Sequence, residues 1–413
     1  MDSVDQGFPW RFRGEGNSSV VLYSEVTPLV LRLRKVLLNR PTAMCELEKH
    51  TLRGIVEYVE FVIAPLVSSP KWIPKMTVVE LRDRLVEVLK RVQLERNPLR
   101  VRDNQAFHDE ALLMPDLAFL PKSTDCDVTT CFSVELKPKE GIMPIDVRAH
   151  PIRRKYSKYA LKQLMKAEEG LITGVNNYDP MDLFSGDTTL MRKALYHLIS
   201  NPQNNLRVFV NGLLAFGSDS FGSTNLESVM RPLLPDSGDE SVGSFVDLVL
   251  DALNFSHEKC PSVLSGLWGA QALCEIDIEP LYSQYLQLCR LFNERRNVRK
   301  NLGVDGPYYR TAPFWTGIGL ASFDLSDDDI NAITNCRKYL ASATLKDCSV
   351  FVTFKLVECD LPSELPVITS KHGSKFAFHA TLVDLDPKPF ERIERHYFEA
   401  KKLINIAERL GLQ

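Results

Sequence analysis

The sequence predicts an α+β fold in two lobes, a smaller N-terminal lobe over residues 1–117 and a larger C-terminal lobe over 118–413. Three observations predict it. The first hundred residues combine short strand patterns with two amphipathic helix patterns, and the apolar connector "ALLMPDLAFLP" follows them. Beyond the connector, strand patterns flank a long, mostly helical stretch. A chain of 413 residues is also longer than one small domain requires.

The N-terminal lobe begins with two strands joined by a glycine turn, in "WRFRGEGNSSVVLYS". A third strand follows in "PLVLRLRKVLL", where apolar and basic residues alternate. Two stretches then have helical periodicity, "CELEKHTLRGIVEYVEFVIAPLV" and "TVVELRDRLVEVLKRVQLER". This order predicts a small sheet with two helices beside it.

The C-terminal lobe begins with the strand in "FSVELKPKEG", and the proline excludes a helix interior. Extended backbone around Pro138 would point Lys137 and Lys139 to the same side. A basic helix is predicted near 155–169, and "RVFVNGLLAFG" is typical of a hairpin with a type I′ turn at Asn211-Gly212. Helices dominate 244–300, the strands "CSVFVTFKLV" and "KFAFHATLVDL" follow, and a last helix comes after "PKPFERIERHYFEAKKL".

Composition excludes several classes of protein. The net charge of −3 gives no overall attraction to nucleic acid or to an anionic membrane, and no apolar run is long enough for a transmembrane helix. The first residues, "MDSVDQGFPW", are unlike a signal peptide. The nine cysteines are scattered without a CxxC pair, and His257 and Cys260 form a lone HxxC that ordinary burial or exposure explains. We therefore expect a reduced cytoplasmic or nuclear protein without structural zinc.

Cations concentrate between Asp146 and Glu168, where no acid occurs. This stretch contains Arg148, Arg153, Arg154, Lys155, Lys158, Lys162 and Lys166. The last three are spaced by four, so a helix places them on one face, where unpaired like charges are destabilising. A solvated basic face is the plain interpretation. Lys137 and Lys139 a short way upstream favour the alternative, a ligand with several phosphates.

Two features favour a nucleotide site. The turn "RGEGNSS", Arg13 to Ser19, contains two glycines whose backbone N–H groups could approach a triphosphate, although such a turn is often only a hairpin. It is not a Walker A sequence. On the next strand, Arg32 stands where a protein kinase places a phosphate-binding lysine.

Two aspartates complete the candidate site. Asp347 directly precedes a strand pattern, and Asp384 ends the next one. Phosphoryl transfer needs one carboxylate near the attacking hydroxyl and another to hold Mg²⁺. Each aspartate has an alternative role in a turn or a helix cap. The HRDxxxxN and DFG signatures are absent, which argues against an ordinary protein kinase.

These residues resemble one known family, the inositol-pentakisphosphate 2-kinases. The resemblance extends from residue 13 to about 404 and is carried, in the family's order, by "RGEGNSSVVL", "VELKPKEG", "YDPMDLFSG" with "NPQNNLRVFVNG", "ATLKDCS" and "VDLDPKPFERI". It implies transfer of the ATP γ-phosphate to the 2-hydroxyl of inositol 1,3,4,5,6-pentakisphosphate, which gives the hexakisphosphate, phytate. It also implies a fold distantly like that of protein kinases, with an inositide-binding region in the C-terminal lobe. We expect a monomer with no nucleic-acid or membrane partner.

The resemblance also implies roles for single residues. Asp347 matches the general base, Asp384 the Mg²⁺ ligand, and Lys137 a bridge between nucleotide and substrate. The residues matching the nucleotide site are Gly16, Asn17, Ser18, Ser19, Arg32, Pro115, Asp116, Leu117, Glu135, Lys137, Arg207 and Asp384. Those matching the substrate site are Arg100, Lys137, Lys139, Lys166, Asn204, Asn205, Arg207, Lys388, Arg392 and His396.

The sequence departs from the family pattern in places. Plant members carry a His…CxxC…His zinc motif, but here Ser283 stands at the first histidine and no CxxC occurs. A substrate-binding tyrosine of the family corresponds to His396, with Tyr397 adjacent, and Arg102 is an alternative to Arg100.

Two other functions are consistent with parts of the sequence. A catalytically silent inositol-phosphate sensor or scaffold would keep the basic pocket, although the intact aspartates and glycine turn argue against it. A nucleic-acid binder would use residues 148–166, but the net negative charge and the lack of basic–aromatic modules argue against it.

Overall fold

The fold consists of two antiparallel sheets and a set of helices, which confirms the predicted α+β class. We describe it from a computed structural model. The structure describes residues 10–16, 18–37, 52–81, 89–90, 92, 94–96, 101, 105–121, 130–217, 225–257, 260–295, 324–357 and 365–412.

The first sheet has five strands in the order β1-β2-β3-β5-β4. They are β1 (Trp10–Glu15), β2 (Ser19–Ser24), β3 (Leu29–Leu37), β4 (Thr77–Glu80) and β5 (Gln105–Pro115). Apolar residues at alternate positions, such as Val20 and Leu22 on β2, are buried in one cluster on a single face of the sheet. The three predicted N-terminal strands are confirmed.

Two predictions in this region are wrong. Thr77–Glu80 was predicted as the start of a helix but forms β4, because its β-branched residues pair with β5 from Leu113 to Glu110. Residues 111–115 were predicted as a connector but form the end of β5, between β3 and β4. The connector is therefore shorter and follows Pro115.

One helical segment packs against both sheets. It consists of α1 (Leu52–Tyr58), a π-helical turn (Val59–Ile63) and α2 (Ala64–Leu66). Leu52 and Ile55 pack against Leu112 of β5. The later residues of the segment, including Val62, belong to the large core beneath the second sheet. The segment thus joins the two cores.

The second sheet has six strands in the order β10-β11-β9-β6-β7-β8. They are β6 (Cys131–Leu136), β7 (Leu206–Val210), β8 (Leu213–Phe216), β9 (Ser349–Leu356), β10 (Val367–Thr369) and β11 (Lys375–Val383). At the centre, Phe132 of β6 stacks on Phe354 of β9 with ring centroids 5.0 Å apart. The hairpin β7–β8 turns at Asn211 and Gly212, both with positive φ, as the type I′ prediction requires.

Helices cover the second sheet and extend beyond it. They are α3 (Pro151–Lys155), α4 (Lys158–Glu168), α5 (Pro180–Leu183), α6 (Thr188–Ser200), α7 (Leu226–Met230), α8 (Ser241–Asn254), α9 (Val263–Gln271), α10 (Ile278–Glu294), α11 (Asp327–Leu345) and α12 (Arg392–Arg409). The basic helix, the helical region after 244 and the C-terminal helix were predicted, and α11 was not.

The C-terminal helix α12 connects two groups of helices. Leu403 and Ile404 pack against Ile152 of α3 and Leu161 of α4. Ile393 and Ala400 of α12 pack instead with α10 and α11. Both the basic helix and α11 are therefore held next to α12.

Candidate functional site

The strand β6 ends at a junction of charged side chains. Glu135 faces Arg207 across the β6–β7 ladder, and the Arg207 Nη1 lies 3.3 Å from the Glu135 Oε2. Ser349 of β9 donates to the other carboxylate oxygen at 3.0 Å. The structure therefore places Glu135 and Arg207, both predicted to contact the nucleotide, side by side.

Lys137 and Lys139 reach two different aspartates. The Lys137 Nζ lies 2.8 Å from Asp384, and the Lys139 Nζ lies 3.4 Å from Asp347. The prediction that both residues are extended is wrong for Lys139, which has a φ of 63°. Buried Gln271 holds this turn, because its amide donates to the Lys139 carbonyl and accepts from the Gly141 N–H.

Asp347 lies between two lysines. It precedes β9, as predicted, and follows the C-terminus of α11. Its carboxylate also contacts Lys388 at 3.1 Å. Desolvation would raise the pKa of Asp347, but Lys139 and Lys388 outweigh it and hold the pKa well below its usual range. With its side chain 59% exposed, Asp347 is an ionised carboxylate that a ligand can reach.

Asp384 directly follows β11 and has a φ of 62°. Its Oδ2 contacts Lys137, and the side chain is 49% exposed. Desolvation lowers the pKa of Lys137, but Asp384 outweighs it and leaves that pKa raised, so the ammonium is charged at neutral pH. The pair thus combines a permanent cation with an accessible carboxylate.

Asp384 is also the predicted magnesium ligand, and its surroundings fit that role. Mg²⁺ commonly takes one or two protein carboxylates and completes its shell with phosphate oxygens and water. A single exposed aspartate matches this mode of binding. In the ranges that the structure describes, no three His, Cys, Asp or Glu side chains group as a metal site, so the protein residues seen here do not form a closed cage.

The predicted nucleotide residues near the N-terminus lie around the β1–β2 turn. Asn17 is outside the described residues. The Gly16 N–H donates to the Ser19 carbonyl at 2.9 Å, and Lys35 on β3 donates to the Gly16 carbonyl at 2.7 Å. On β3, Arg32 lies opposite Val21, two residues along from the Ser19–Arg34 pair. Arg32 and the turn therefore belong to adjacent strands.

The predicted adenine segment follows β5. Pro115 is the last residue of that strand. Asp116 is buried, forms an ion pair with Arg13 of β1 and accepts the Ala118 N–H at 3.1 Å. Thr353 of β9 donates to the Leu117 carbonyl, so the segment is tied to the second sheet.

The basic helix α4 has an internal counter-ion. Glu399 of α12 lies 2.8 Å from the Lys162 Nζ and 3.6 Å from the Lys158 Nζ. The lysine repeat had suggested that an anion must compensate the like charges, and a carboxylate of this chain compensates two of them. Desolvation, followed by the charge of Lys162, lowers the pKa of Lys166 and lowers that of Lys158 to about 8.

Lys388, Arg392 and His396 follow one another at intervals of four residues. Desolvation and the surrounding cations, Lys158 first, lower the pKa of His396 to about 2, so its ring is neutral. Its Nδ1 lies 3.0 Å from the hydroxyl of Tyr339. Tyr397 stacks on Tyr282 with ring centroids 3.8 Å apart. Of the two alternatives, His396 is the residue beside Lys158, Arg392 and Lys388, whereas Lys401 lies over the ring of Tyr397.

The remaining predicted substrate residues differ in how exposed they are. Asn204 is exposed, whereas Asn205 is buried and donates to the Tyr159 hydroxyl at 2.9 Å. The Asn205 carbonyl accepts the Lys137 N–H, so the turn before β7 supports the end of β6. Arg100 and Arg102 lie outside the described residues.

Three residues of this region were not singled out from the sequence. Asp386 binds Arg32, Glu399 binds the α4 lysines, and Gln271 holds the Lys139 turn. Only Asp386 had a local signal, since it alternates with Asp384 and Lys388 in "DLDPK". All three lie far from their partners in the chain.

A shallow groove of about 510 Å³ lies elsewhere, on α10 and the start of α11. Its lining residues include Ser283, Gln287 and Asp329. None of the predicted site residues within the described ranges lines it. In the same ranges, no helix has both the length and the apolar run that crossing a bilayer requires.

Known proteins resemble this chain over nearly its whole length. A family model described as inositol-pentakisphosphate 2-kinase matches residues 12–402. Proteins with that name from Danio rerio and Arabidopsis thaliana are 28% and 27% identical to it. The alignments cover 98% and 97% of this chain, and 94% and 93% of those proteins. A Cryptococcus neoformans protein of the same name is 25% identical over 94% of this chain and 90% of its own. The chain belongs to the inositol-pentakisphosphate 2-kinase family.

Proposed function

We propose that this protein transfers the γ-phosphate of ATP to the 2-hydroxyl of inositol 1,3,4,5,6-pentakisphosphate and forms inositol hexakisphosphate. The observation that carries the proposal is the ionised, exposed Asp347 between Lys139 and Lys388, in a chain of this family. A carboxylate among cations is suited to accept a hydroxyl proton beside phosphate groups.

Asp347 acts as the general base in this proposal. Its depressed pKa keeps it ionised at neutral pH, and the two lysines hold its oxygens in place. When the substrate binds, the lysines contact its phosphates, and the carboxylate is left to accept the proton of the attacking hydroxyl. The proton transfer and the phosphate binding therefore depend on the same contacts.

Lys137, Asp384 and Arg207 act on the transferred phosphoryl group. Lys137 and Arg207 place fixed positive charge where negative charge gathers between two anionic ligands. Asp384 would hold Mg²⁺, which when bound offsets the charge of the phosphate oxygens. Glu135, paired with Arg207, would face the nucleoside.

The nucleotide phosphates lie at the β1–β2 turn, near Gly16, Asn17, Ser18 and Ser19, with Arg32 on the adjacent strand. The adenine lies at residues 115–117. The substrate phosphates contact cations that come from separate segments, namely Arg100, Lys139, Lys166, Lys388 and Arg392. Asn204, Asn205 and His396 complete the substrate site, Asn205 through its support of the end of β6.

We also propose the kinase-like arrangement in which residues 1–117 form a smaller lobe and 118–413 a larger one. Support comes from the two separate sheets and from the connector at 116–121 between them. The α1–α2 segment, which packs against both cores, would act as a link between the lobes.

The direct test is incubation with ATP, Mg²⁺ and a panel of inositol phosphates, with the products separated by position. We expect phosphate addition to the 2-hydroxyl of inositol 1,3,4,5,6-pentakisphosphate. Omission of Mg²⁺ should abolish the product. Binding of the pentakisphosphate without ATP-dependent product would instead favour the silent sensor and refute the proposal.

A further inference from the structure

Residues 384–388, which we call the 384–388 strap, contact three separate parts of the chain. Their alternate side chains each take a different partner, while Leu385 between them is buried in the large core. The three contacts are Asp384 with Lys137 after β6, Asp386 with Arg32 on β3, and Lys388 with Asp347 after α11. The backbone carbonyl of Asp386 also accepts the Thr344 hydroxyl of α11 at 3.3 Å.

The Arg32–Asp386 contact is a two-pronged ion pair. Arg32 Nη1 and Nη2 lie 2.7 Å and 2.6 Å from the two carboxylate oxygens of Asp386. The side chains are 16% and 27% exposed, so the pair is largely shielded from water. Such a fork fixes the plane of the guanidinium as well as its position. It also joins the first sheet to the strap.

The fork leaves Arg32 able to bind a second anion. A guanidinium has five N–H donors, and a carboxylate that bridges the two terminal nitrogens uses one hydrogen of each. The Nε–H and the outer hydrogens remain for another ligand. Arg32 lies on β3, which pairs with β2 beside the β1–β2 turn, so the residue belongs to the proposed nucleotide side.

We propose that Asp386 is a positioning residue for the nucleotide: it orients the Arg32 guanidinium toward the phosphates and couples Arg32 to Asp384 in the same strap. The inference rests on the proposed function, because that function assigns the nucleotide phosphates to Arg32. Asp386 contacts neither ligand in this scheme. It acts through Arg32 and through the short backbone that it shares with the magnesium ligand.

If Asp386 had the opposite role, that of a competitor of the nucleotide, its removal would change nucleotide affinity in the opposite direction. If Asp386 competed with phosphate for Arg32, its removal would free the guanidinium and strengthen nucleotide binding. Positioning predicts weaker binding, because an unsupported arginine side chain must be ordered when the nucleotide binds. Weaker nucleotide binding after removal of the Asp386 carboxylate therefore indicates positioning, and tighter binding indicates competition.

The experiment measures the Kd of ADP with Mg²⁺ by calorimetry for the wild type, Asp386→Asn and Asp386→Glu. We expect Asp386→Asn to weaken ADP binding about tenfold, as the loss of an outer-shell partner typically does. Asp386→Glu keeps the charge and the paired oxygens, so we expect recovery to within about threefold of the wild type. Kinetics should show a higher KM for ATP and a nearly unchanged KM for the inositol phosphate.

Asp247→Asn is the matched control. It removes the carboxylate of a second arginine–aspartate pair, with Arg192, that joins α8 and α6. We expect its ADP affinity to equal that of the wild type even if its Tm falls. Unchanged or tighter ADP binding by Asp386→Asn would overturn the inference, and so would equal increases in both KM values.

If the proposed function is wrong, the results will differ from those that refute the role of Asp386. A wild type that binds ADP but phosphorylates no inositol phosphate would refute the kinase proposal, while the comparison of ADP affinities would still decide the role of Asp386.

Discussion

At the scale of single residues, the state of Asp347 matters most. Desolvation opposes its ionisation, but Lys139 and Lys388 outweigh that effect and depress its pKa. A group with a depressed pKa stays charged until the pH falls through that lowered value. Activity lost between pH 7 and about 5 would therefore reflect groups other than Asp347.

We expect Asp347→Asn to lower kcat by roughly 10²- to 10⁴-fold, the usual contribution of a general base. Inositol pentakisphosphate should bind as tightly as before or more tightly, because the change removes a negative charge from among lysines. Initial rates and calorimetry check the two expectations. Asp327→Asn, an exposed acid in the first turn of α11, is the control and should leave both unchanged.

The base assignment would be contradicted by an Asp347→Asn enzyme that keeps more than about a third of the wild-type kcat.

The positions of the two aspartates relative to the strands were predictable from the sequence, but the backbone conformation of Lys139 was not. The sequence placed Asp347 before a strand and Asp384 after one, and both predictions are confirmed. Lys139 was predicted to be extended and has instead a positive φ, which Gln271 stabilises from 132 residues away in the chain. A local pattern contains no information about such a distant partner.

At the scale of elements, helix α4 shows how a partly buried acid supports a basic surface. Three lysines at intervals of four would repel one another on an isolated helix. Glu399 of α12 neutralises part of that charge, and apolar residues of both helices bring it there. The periodicity predicted the helix, whereas its counter-ion depends on the packing of an element more than two hundred residues later.

The lowered pKa of Lys158 predicts a pH-dependent stability. Desolvation and Lys162 bring it from its ordinary 10.5 to about 8 in the fold. Below pH 8 the folded protein bears the cost of keeping this ammonium charged, and that cost is relieved as the pH rises toward 10.5. Relative to Lys158→Met, the wild type should gain about 1–2 kcal/mol of unfolding free energy between pH 7.5 and 9.5.

Urea unfolding of both proteins at the two pH values checks this expectation. A stability difference that does not change with pH, or that moves in favour of the variant, would show that Lys158 is not held in a desolvated, cationic environment.

Prediction of elements failed where tertiary pairing overrides local preference. Thr77–Glu80 begins a stretch with helical charge spacing but pairs with β5, whose other edge is occupied by β3. Val78 and Val79 are β-branched and fit this strand, which stands last in the sheet order beside β5. Helix α11 was missed, although Ser326 and Asp329 form a capping box at its start.

At the scale of the whole molecule, the proposed site gathers its charge from separate segments of the chain. Lys137 and Lys139 follow β6, the α4 lysines come next, and Lys388 and Arg392 lie near the C-terminus. The pKa values of Asp347, Lys139 and His396 respond to cations from at least two of these segments each. The groups therefore act on one another across the fold, which the sequence order alone does not show.

The salt dependence of substrate binding tests this convergence most directly. The Kd of inositol pentakisphosphate, measured by calorimetry at about 50 and about 300 mM salt, should rise roughly tenfold or more, because salt screens many simultaneous charge contacts. Lys388→Gln should bind more weakly and show a smaller salt effect, whereas Lys402→Gln, on the exposed pair with Glu169, should match the wild type. A wild-type Kd that changes less than about twofold over this range would contradict the central claim.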